Sequence, residues 1–180
     1  METKAEQYVG ASRDQREQRD RDHRGNGNRV LGYAPVLILK DSREMLNDFR
    51  WAQMPVDLRI ERSMVSAAVE LVLEDGELKA ALLEKAREKI REEGRECGAR
   101  DGNVPGYVAV LIRDGLKHQV RYLGSTNNLS DHMYQMERIL VTAAIELVVK
   151  SKLVHEQWVG LIANTVKWEV GHCYRSQKVG

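Results

Sequence analysis

The sequence predicts an α+β fold in which short antiparallel strands, among them a central β-hairpin, pack with four or five helices after a disordered N-terminal arm. Three observations support this fold class. Residues 107–112 form a short apolar run rich in β-branched side chains, residues 129–153 carry apolar side chains at helical spacing, and the first 28 residues are almost entirely polar. A chain of 180 residues is long enough to bury one core without disulfide bonds.

The N-terminal arm, residues 1–28, contains too few apolar side chains to bury a core, so we predict that it is disordered. Its basic side chains suggest contact with RNA or DNA, and the candidates are Arg16, Arg19, Arg21 and Arg24. Aspartate and glutamate side chains alternate with these arginines and nearly cancel their charge. A solvated tail with mixed charges is therefore the favoured interpretation.

The next segment, residues 29–93, is expected to form a strand, a helix, a second strand and a helical hairpin. Val36 to Leu39 follow a proline as an apolar strand, and Asp41 with Glu44 resembles a capping box that opens a short helix. Residues 56–60 alternate apolar and charged side chains, as a half-buried strand does. Residues 63–73 and 78–90 carry apolar side chains at helical spacing, with a break at Gly76.

Residues 94–105 are rich in glycine and charge, so we predict a flexible connection and the main internal boundary there. We expect no internal repeat in the chain. The remainder, residues 106–172, is predicted to form a β-hairpin plus a two-helix unit, and residues 173–180 a tail. Strands at 107–112 and 120–122 would join at Asp114-Gly115, and helices would follow from residue 129 or 130 and over residues 154–170.

The helix from residue 129 is apolar over more than one stripe, so a second element must cover it. That element is either the following helix of the same chain or a copy from another subunit. The second possibility predicts a homodimer. The candidate interaction surface consists of Ile139, Ile145, Val149, Trp158 and Trp168.

Composition limits the possible functions. The net charge of +1 argues against strong nucleic-acid binding by the whole chain, and no apolar run is long enough to span a bilayer. The start of the chain lacks the pattern of a signal peptide. Two cysteines, Cys97 and Cys173, form neither a disulfide framework nor a complete metal site, which favours the cytoplasm. We expect no cofactor, no metal and no catalytic constellation.

Two segments resemble known families. The segment VDLRIE at residues 56–61, followed by a helix, Gly76 and LLEKA, resembles the ribbon-helix-helix repressors. This resemblance implies a DNA-binding regulator in which residues 55–90 form the binding segment and Arg59 on the ribbon contacts bases. Asp57 and Glu61 would lie on the same ribbon and face a polyanion.

The second resemblance is carried by GYV at residues 106–108, YLG at residues 122–124 and the STNNL that follows. These motifs look like the opening of a GIY-YIG nuclease domain, here over residues 106–132. The resemblance implies that Tyr107 and Tyr122 help to activate water and bind phosphate, whereas His132 stands where the family has an arginine. The sequence as a whole favours a non-enzymatic small regulatory or protein-interaction protein that acts as a homodimer, and the DNA-binding regulator and the degenerate nuclease are the alternatives.

Overall fold

Across the residues that the structure describes, six helices surround one two-stranded antiparallel ribbon, which confirms the predicted α+β class. The structure is a computed structural model that describes residues 32–93 and 106–176, with side chains described as far as residue 169. In chain order the elements are β1 (Tyr33–Leu39), α1 (Lys40–Gln53), α2 (Glu61–Glu74), α3 (Gly76–Glu93), β2 (Tyr107–Arg113), α4 (Asp114–Thr126), α5 (Met133–Lys150) and α6 (His155–Ser176). Short 3₁₀ turns at Val56–Leu58 and Lys152–Val154 precede α2 and α6.

The ribbon pairs a strand from the start of the described chain with a strand from its middle. Tyr33 pairs with Arg113, Val36 with Val110 and Leu39 with Tyr107. The inner face of the ribbon is fully apolar and packs into the core, where α2 and α5 lie against the strands. Its buried side chains are Val36, Ile38, Val110 and Ile112.

The expectation that the chain contains no internal repeat was wrong. Each half consists of one strand followed by three helices, and the sequences of equivalent elements match. The strand GYAPVLIL corresponds to GYVAVLIR, and the helix ERSMVSAAVELVLE corresponds to ERILVTAAIELVVK. Gly32 and Gly106, which open the strands, both have positive φ (80° and 83°), a conformation that L side chains rarely adopt.

The strand register places the two halves around an approximate twofold axis. Val36 pairs with Val110, and these residues occupy the same position in the two strand sequences. An antiparallel pair that is centred on equivalent residues is related by a local twofold rotation. The chain is therefore built as a covalently joined pair of βααα units.

The predicted β-hairpin did not form, because its second strand is helical. Residues 114–126 make up α4, in which Leu116 and Val120 are buried and Leu123 packs against the core. This spacing of three and four residues buries one helical face, whereas the alternation at residues 120–122 involves only three residues. Residues 107–112 do form a strand, but their partner is β1.

The strand predicted over residues 56–60 is also replaced by another structure. Val56–Leu58 form a 3₁₀ turn after Pro55, and the side chain of Val56 is 79% exposed. Within the described ranges the sheet contains only β1 and β2, and this segment pairs with neither of them. The alternating pattern reflects a turn that approaches the core only at Leu58.

The remaining elements follow the prediction with shifted ends. The first strand and short helix are confirmed as β1 and α1, and the helical hairpin is confirmed as α2 and α3. Asp75 joins α2 to α3, because its carboxylate accepts hydrogen bonds from the amides of Glu77 and Leu78, each at 2.9 Å. Helix α6 extends beyond the predicted end at residue 170 to Ser176, so the predicted tail begins within a helix.

Two predicted segments lie outside the described residues, namely the N-terminal arm at 1–28 and the connection at 94–105. Among the helices that are described, none combines the length and the apolar character needed to cross a membrane.

The close packing of α4 on α5 depends on Gly124. A Cβ atom at this position would lie 2.8 Å from Sδ of Met136, 3.2 Å from its Cβ and 3.3 Å from a methyl group of Leu140. We expect Gly124→Ala to lower the free energy of unfolding by roughly 1 to 3 kcal/mol, because the two helices must move apart. Urea unfolding followed by circular dichroism measures this change.

Gly160→Ala is the matched control. Gly160 lies in α6, and a methyl group added to it would meet no neighbouring side chain within 4 Å, so alanine there should leave stability unchanged or raise it by about 0.5 to 1 kcal/mol. Equal destabilisation by both substitutions would contradict the helix contact described for Gly124.

Candidate interaction surface

A buried charge network connects the first strand to the last helix. The carboxylate of Glu169 on α6 accepts hydrogen bonds from Arg62 at 2.6 and 3.0 Å and from the hydroxyl of Ser63 at 2.6 Å. The hydroxyl of Tyr33 donates to the same carboxylate, and the Arg62 guanidinium lies over the Tyr33 ring at 5.6 Å. One carboxylate therefore fixes β1, α2 and α6 together.

This network changes the pKa values of its members. Burial alone would raise the pKa of Glu169, but hydrogen bonds from Arg62, Ser63 and Tyr33 outweigh it and hold the pKa below its ordinary value. Burial and the adjacent Glu169 carboxylate raise the pKa of the Tyr33 hydroxyl, which therefore stays protonated and donates. The glutamate is the anion of the network at neutral pH.

The second half contains the equivalent network. Tyr107 at the start of β2 donates its hydroxyl to Glu93 on α3, and Arg138 on α5 binds the same carboxylate at 2.9 Å. The Arg138 guanidinium lies over the Tyr107 ring at 5.0 Å. Both halves use a tyrosine, an arginine and a glutamate at equivalent positions. We therefore interpret these networks as structural contacts that stabilise the fold.

Other polar contacts are repeated in the same way. The amide of Leu39 donates to Thr142 at 3.2 Å, and the equivalent amide of Arg113 donates to Ser66 at 3.1 Å. These hydroxyls bind strand amides that do not take part in the ribbon ladder. An ion pair after each strand also recurs, formed by Arg43 with Glu61 and by Lys117 with Glu137.

A further buried carboxylate, Glu146, connects α5 to its neighbours. It binds Lys85 at 3.0 Å, Lys89 at 2.9 Å and the hydroxyl of Ser42 at 2.8 Å. Burial alone would raise the pKa of Glu146. The hydrogen bonds from these three donors lower the pKa by more than burial raises it, so the pKa lies below its ordinary value. The buried charges of the described core are thus neutralised inside the protein.

The outer face of the ribbon has a different character. Pro35 and Ala109 are exposed there, and Leu37 and Leu111 are half-buried. The register pairs Pro35 with Leu111 and Leu37 with Ala109, so the four side chains form one apolar patch across both strands. We call these four residues the ribbon face. They were not predicted as a site, although the alternation of inner and outer positions along PVLIL and AVLIR could have identified them.

The five residues of the predicted interaction surface do not form one exposed surface in the structure. Ile139 and Ile145 are almost fully buried, because α5 packs against α1, α2, α3, α4 and β1 of the same chain. Trp158 is fully buried where α6 packs against α2, and its indole N–H donates to the carbonyl oxygen of Met64 at 3.1 Å. Val149 is half-buried, and Trp168 is 41% exposed. The apolar surface of α5 that suggested a partner is therefore covered mainly within the chain.

The two nuclease-like tyrosines lie on different kinds of element. Tyr107 is on β2 and donates to Glu93, whereas Tyr122 is on helix α4 and is 72% exposed. His132 is the N-cap residue of α5. The segment that would align Tyr122 on a strand beside Tyr107 is helical, and within the described ranges no three His, Cys, Asp or Glu side chains converge as metal ligands.

The DNA-binding candidates are likewise not brought together on a ribbon. Arg59 follows the 3₁₀ turn and donates to the backbone oxygen atoms of Met54 and Trp51, at 2.9 and 3.3 Å. The ribbon strand that the repressor resemblance requires does not form there. The other four candidates lie outside the described residues. They are Arg16, Arg19, Arg21 and Arg24.

Comparisons with protein-family models, with curated proteins and with solved structures find no match to this chain. The chemistry of the surfaces described above is therefore the basis for inferring a function.

The Glu169 network predicts a pH-dependent stability. The pKa of Glu169 is lower in the folded protein than the ordinary value of 4.5, so its stabilising contribution is fully present above 4.5 and is lost as the pH falls from there through the lower pKa of the folded protein. We expect Glu169→Gln to destabilise the protein at pH 7, and we expect the difference from the wild type to shrink towards pH 3. Urea unfolding at several pH values measures both effects.

Glu156→Gln is the matched control for this experiment, because Glu156 is an exposed carboxylate on the same helix. Its substitution should change neither the stability nor the pH dependence appreciably. If the difference between wild type and Glu169→Gln were the same at every pH, the ionised carboxylate would not be the stabilising group.

Proposed function

We propose that the protein is a non-enzymatic regulatory or protein-interaction protein that acts as a homodimer through the ribbon face. The observation that carries this proposal is that the four residues at the centre of the outer face of the ribbon are all apolar, as the inner face is. The reducing cytoplasm, which suits its two cysteines, is the proposed location.

An antiparallel sheet that faces water on one side usually places polar side chains on that side. The ribbon face instead presents proline, leucine, alanine and leucine, without a charged or hydrogen-bonding side chain among them. An apolar sheet face is stabilised when a second layer covers it. A second copy of the chain supplies such a layer.

Symmetry favours a second copy as the partner. In a twofold homodimer the same patch of each subunit meets itself, so the patch must be complementary to its own rotated image. The ribbon face already has an approximate twofold axis at Val36 and Val110, which makes the two halves of the patch similar. Two such faces can pack together without burying an unpaired charge.

The ribbon is too small to be the whole interface. Stable dimers bury roughly 1,200 to 2,000 Å² of surface in total, and each strand is seven residues long. The proposed interface therefore extends onto the first turns of the helices that follow the two strands, α1 and α4, and leaves the C-terminal end of α1 free. This arrangement replaces the contact through α5 that the sequence suggested.

Ala109→Glu tests the proposed dimer. Ala109 is exposed, so the new side chain meets no steric barrier in the monomer, but in the dimer it places a carboxylate on an apolar interface. We expect the wild type to sediment as a dimer at micromolar concentrations and the variant to sediment as a monomer. Analytical ultracentrifugation over a concentration series measures this.

Leu153→Glu is the control, since Leu153 is 95% exposed on the 3₁₀ turn before α6 and is not part of the ribbon face. It should leave the dimer intact. A wild-type protein that sediments as a monomer at all concentrations would exclude the homodimer, and a dimer that survives Ala109→Glu would place the interface elsewhere.

A further inference from the structure

An exposed tryptophan on α1 is covered by two arginine side chains. Trp51 is 62% exposed, and the guanidinium groups of Arg50 and Arg59 lie over its ring at 5.1 and 5.0 Å from the centroid. Val56, which is 79% exposed, lies on the turn between these residues. We call these four residues the tryptophan cluster.

The end of α1 holds this cluster in place. Met54 follows the helix and is buried, which anchors the turn to the core. Arg59 donates to the carbonyl groups of Met54 and Trp51, so its guanidinium is fixed beside the indole ring. A preorganised cation and aromatic ring lose less side-chain entropy on binding than mobile ones do.

The positive charges of the cluster have no carboxylate partner among the described residues. Neither Arg50 nor Arg59 forms an ion pair there, whereas five other arginines in those ranges do. Those paired arginines are Arg43, Arg62, Arg113, Arg121 and Arg138. The tryptophan cluster is therefore a place where basic groups are available to an external anion.

The fold does not require the tryptophan cluster, because the second half of the chain lacks these residues and has the same order of elements. When the halves are aligned on their strands and central helices, Arg50 corresponds to Gly124, Trp51 to Ser125 and Arg59 to Gln135. The second half folds in the same order of elements without an aromatic ring or a cation at these positions. The residues of the cluster are therefore specific to the first half.

We propose that the tryptophan cluster binds a segment of a partner protein in which an apolar side chain lies next to carboxylates. Trp51 and Val56 offer the apolar contact, and Arg50 and Arg59 offer charge-assisted hydrogen bonds to the carboxylates. Tryptophan and arginine are the residue types that most often dominate binding energy at protein interfaces.

The surroundings favour such a segment over a nucleic acid. Asp48 and Asp57 are exposed close to the cluster in the sequence, and a continuous phosphate backbone would have to pass them. The guanidinium groups also lie over the indole ring, where a nucleobase would have to stack. A short segment need not run past Asp48 and Asp57, and its carboxylates bind the guanidinium groups that lie over the ring instead of displacing them.

Fluorescence anisotropy with the full chain tests the proposal. The probe is a labelled ten-residue peptide of alternating aspartate and leucine, compared with the same peptide carrying asparagine for aspartate, single-stranded DNA and duplex DNA. We expect binding of the acidic peptide only. Trp51→Ala and Arg50→Gln should each weaken that binding about tenfold or more, as loss of a dominant interface residue does.

Arg91→Gln and Trp168→Ala are the matched controls, because Arg91 is an exposed arginine on α3 and Trp168 is an exposed tryptophan on α6. Both should bind the peptide as the wild type does, and thermal unfolding should show that all variants are folded. Absence of peptide binding, equal binding of the asparagine peptide, unchanged binding by both cluster variants, or preference for DNA would each overturn the proposal. Because Ala109→Glu affects a different surface, its monomer should still bind the peptide.

Discussion

The antiparallel pairing of β1 with β2 is the constraint on which the rest of the structure depends. Each strand opens one half of the chain, so their pairing brings together residues that are distant in the sequence. The inner face of the ribbon then lies on α2 and α5, which carry most of the buried apolar side chains of the core. Without this pairing, neither half could cover the apolar surface of its own central helix. The apparent need for a second subunit is thus met largely by the other half of the same chain.

Charge is used in two ways. Inside the protein, Glu169 and Glu93 each bind a tyrosine at the start of a strand and an arginine on a central helix, and the repetition of this arrangement marks it as structural. On the surface, the tryptophan cluster presents arginines that no described carboxylate neutralises. The comparison between the two halves distinguishes the structural charges from those proposed for binding. A contact that the fold requires occurs in both halves, whereas a surface that serves binding need occur in only one. The ribbon face lies on the approximate twofold axis and draws equally on both halves.

The sequence was sufficient to predict the fold class and most helices, because long amphipathic segments such as α2, α3 and α5 have a clear period. It was insufficient where the pattern was short. Three residues of alternation at 120–122 and five at 56–60 resembled strands, but a strand forms only where a partner is available, and the partner of β2 was β1. The repeat is hard to detect because the turns after α1 and α4 differ in length and composition, and only the strands and central helices are similar. The ribbon face and the tryptophan cluster depend on exposure, which follows from tertiary packing rather than from any local pattern.

The measurement that tests this account most directly is backbone amide hydrogen exchange, followed by nuclear magnetic resonance across both halves. If the two units form one cooperative core through the ribbon, amides of β1, β2, α2 and α5 should exchange at the same slowest rate, set by global unfolding. The amides of Leu39 and Arg113, which bind Thr142 and Ser66, should belong to that group. Much faster exchange throughout one half would show that the halves unfold independently, and it would contradict a ribbon that joins them into one core.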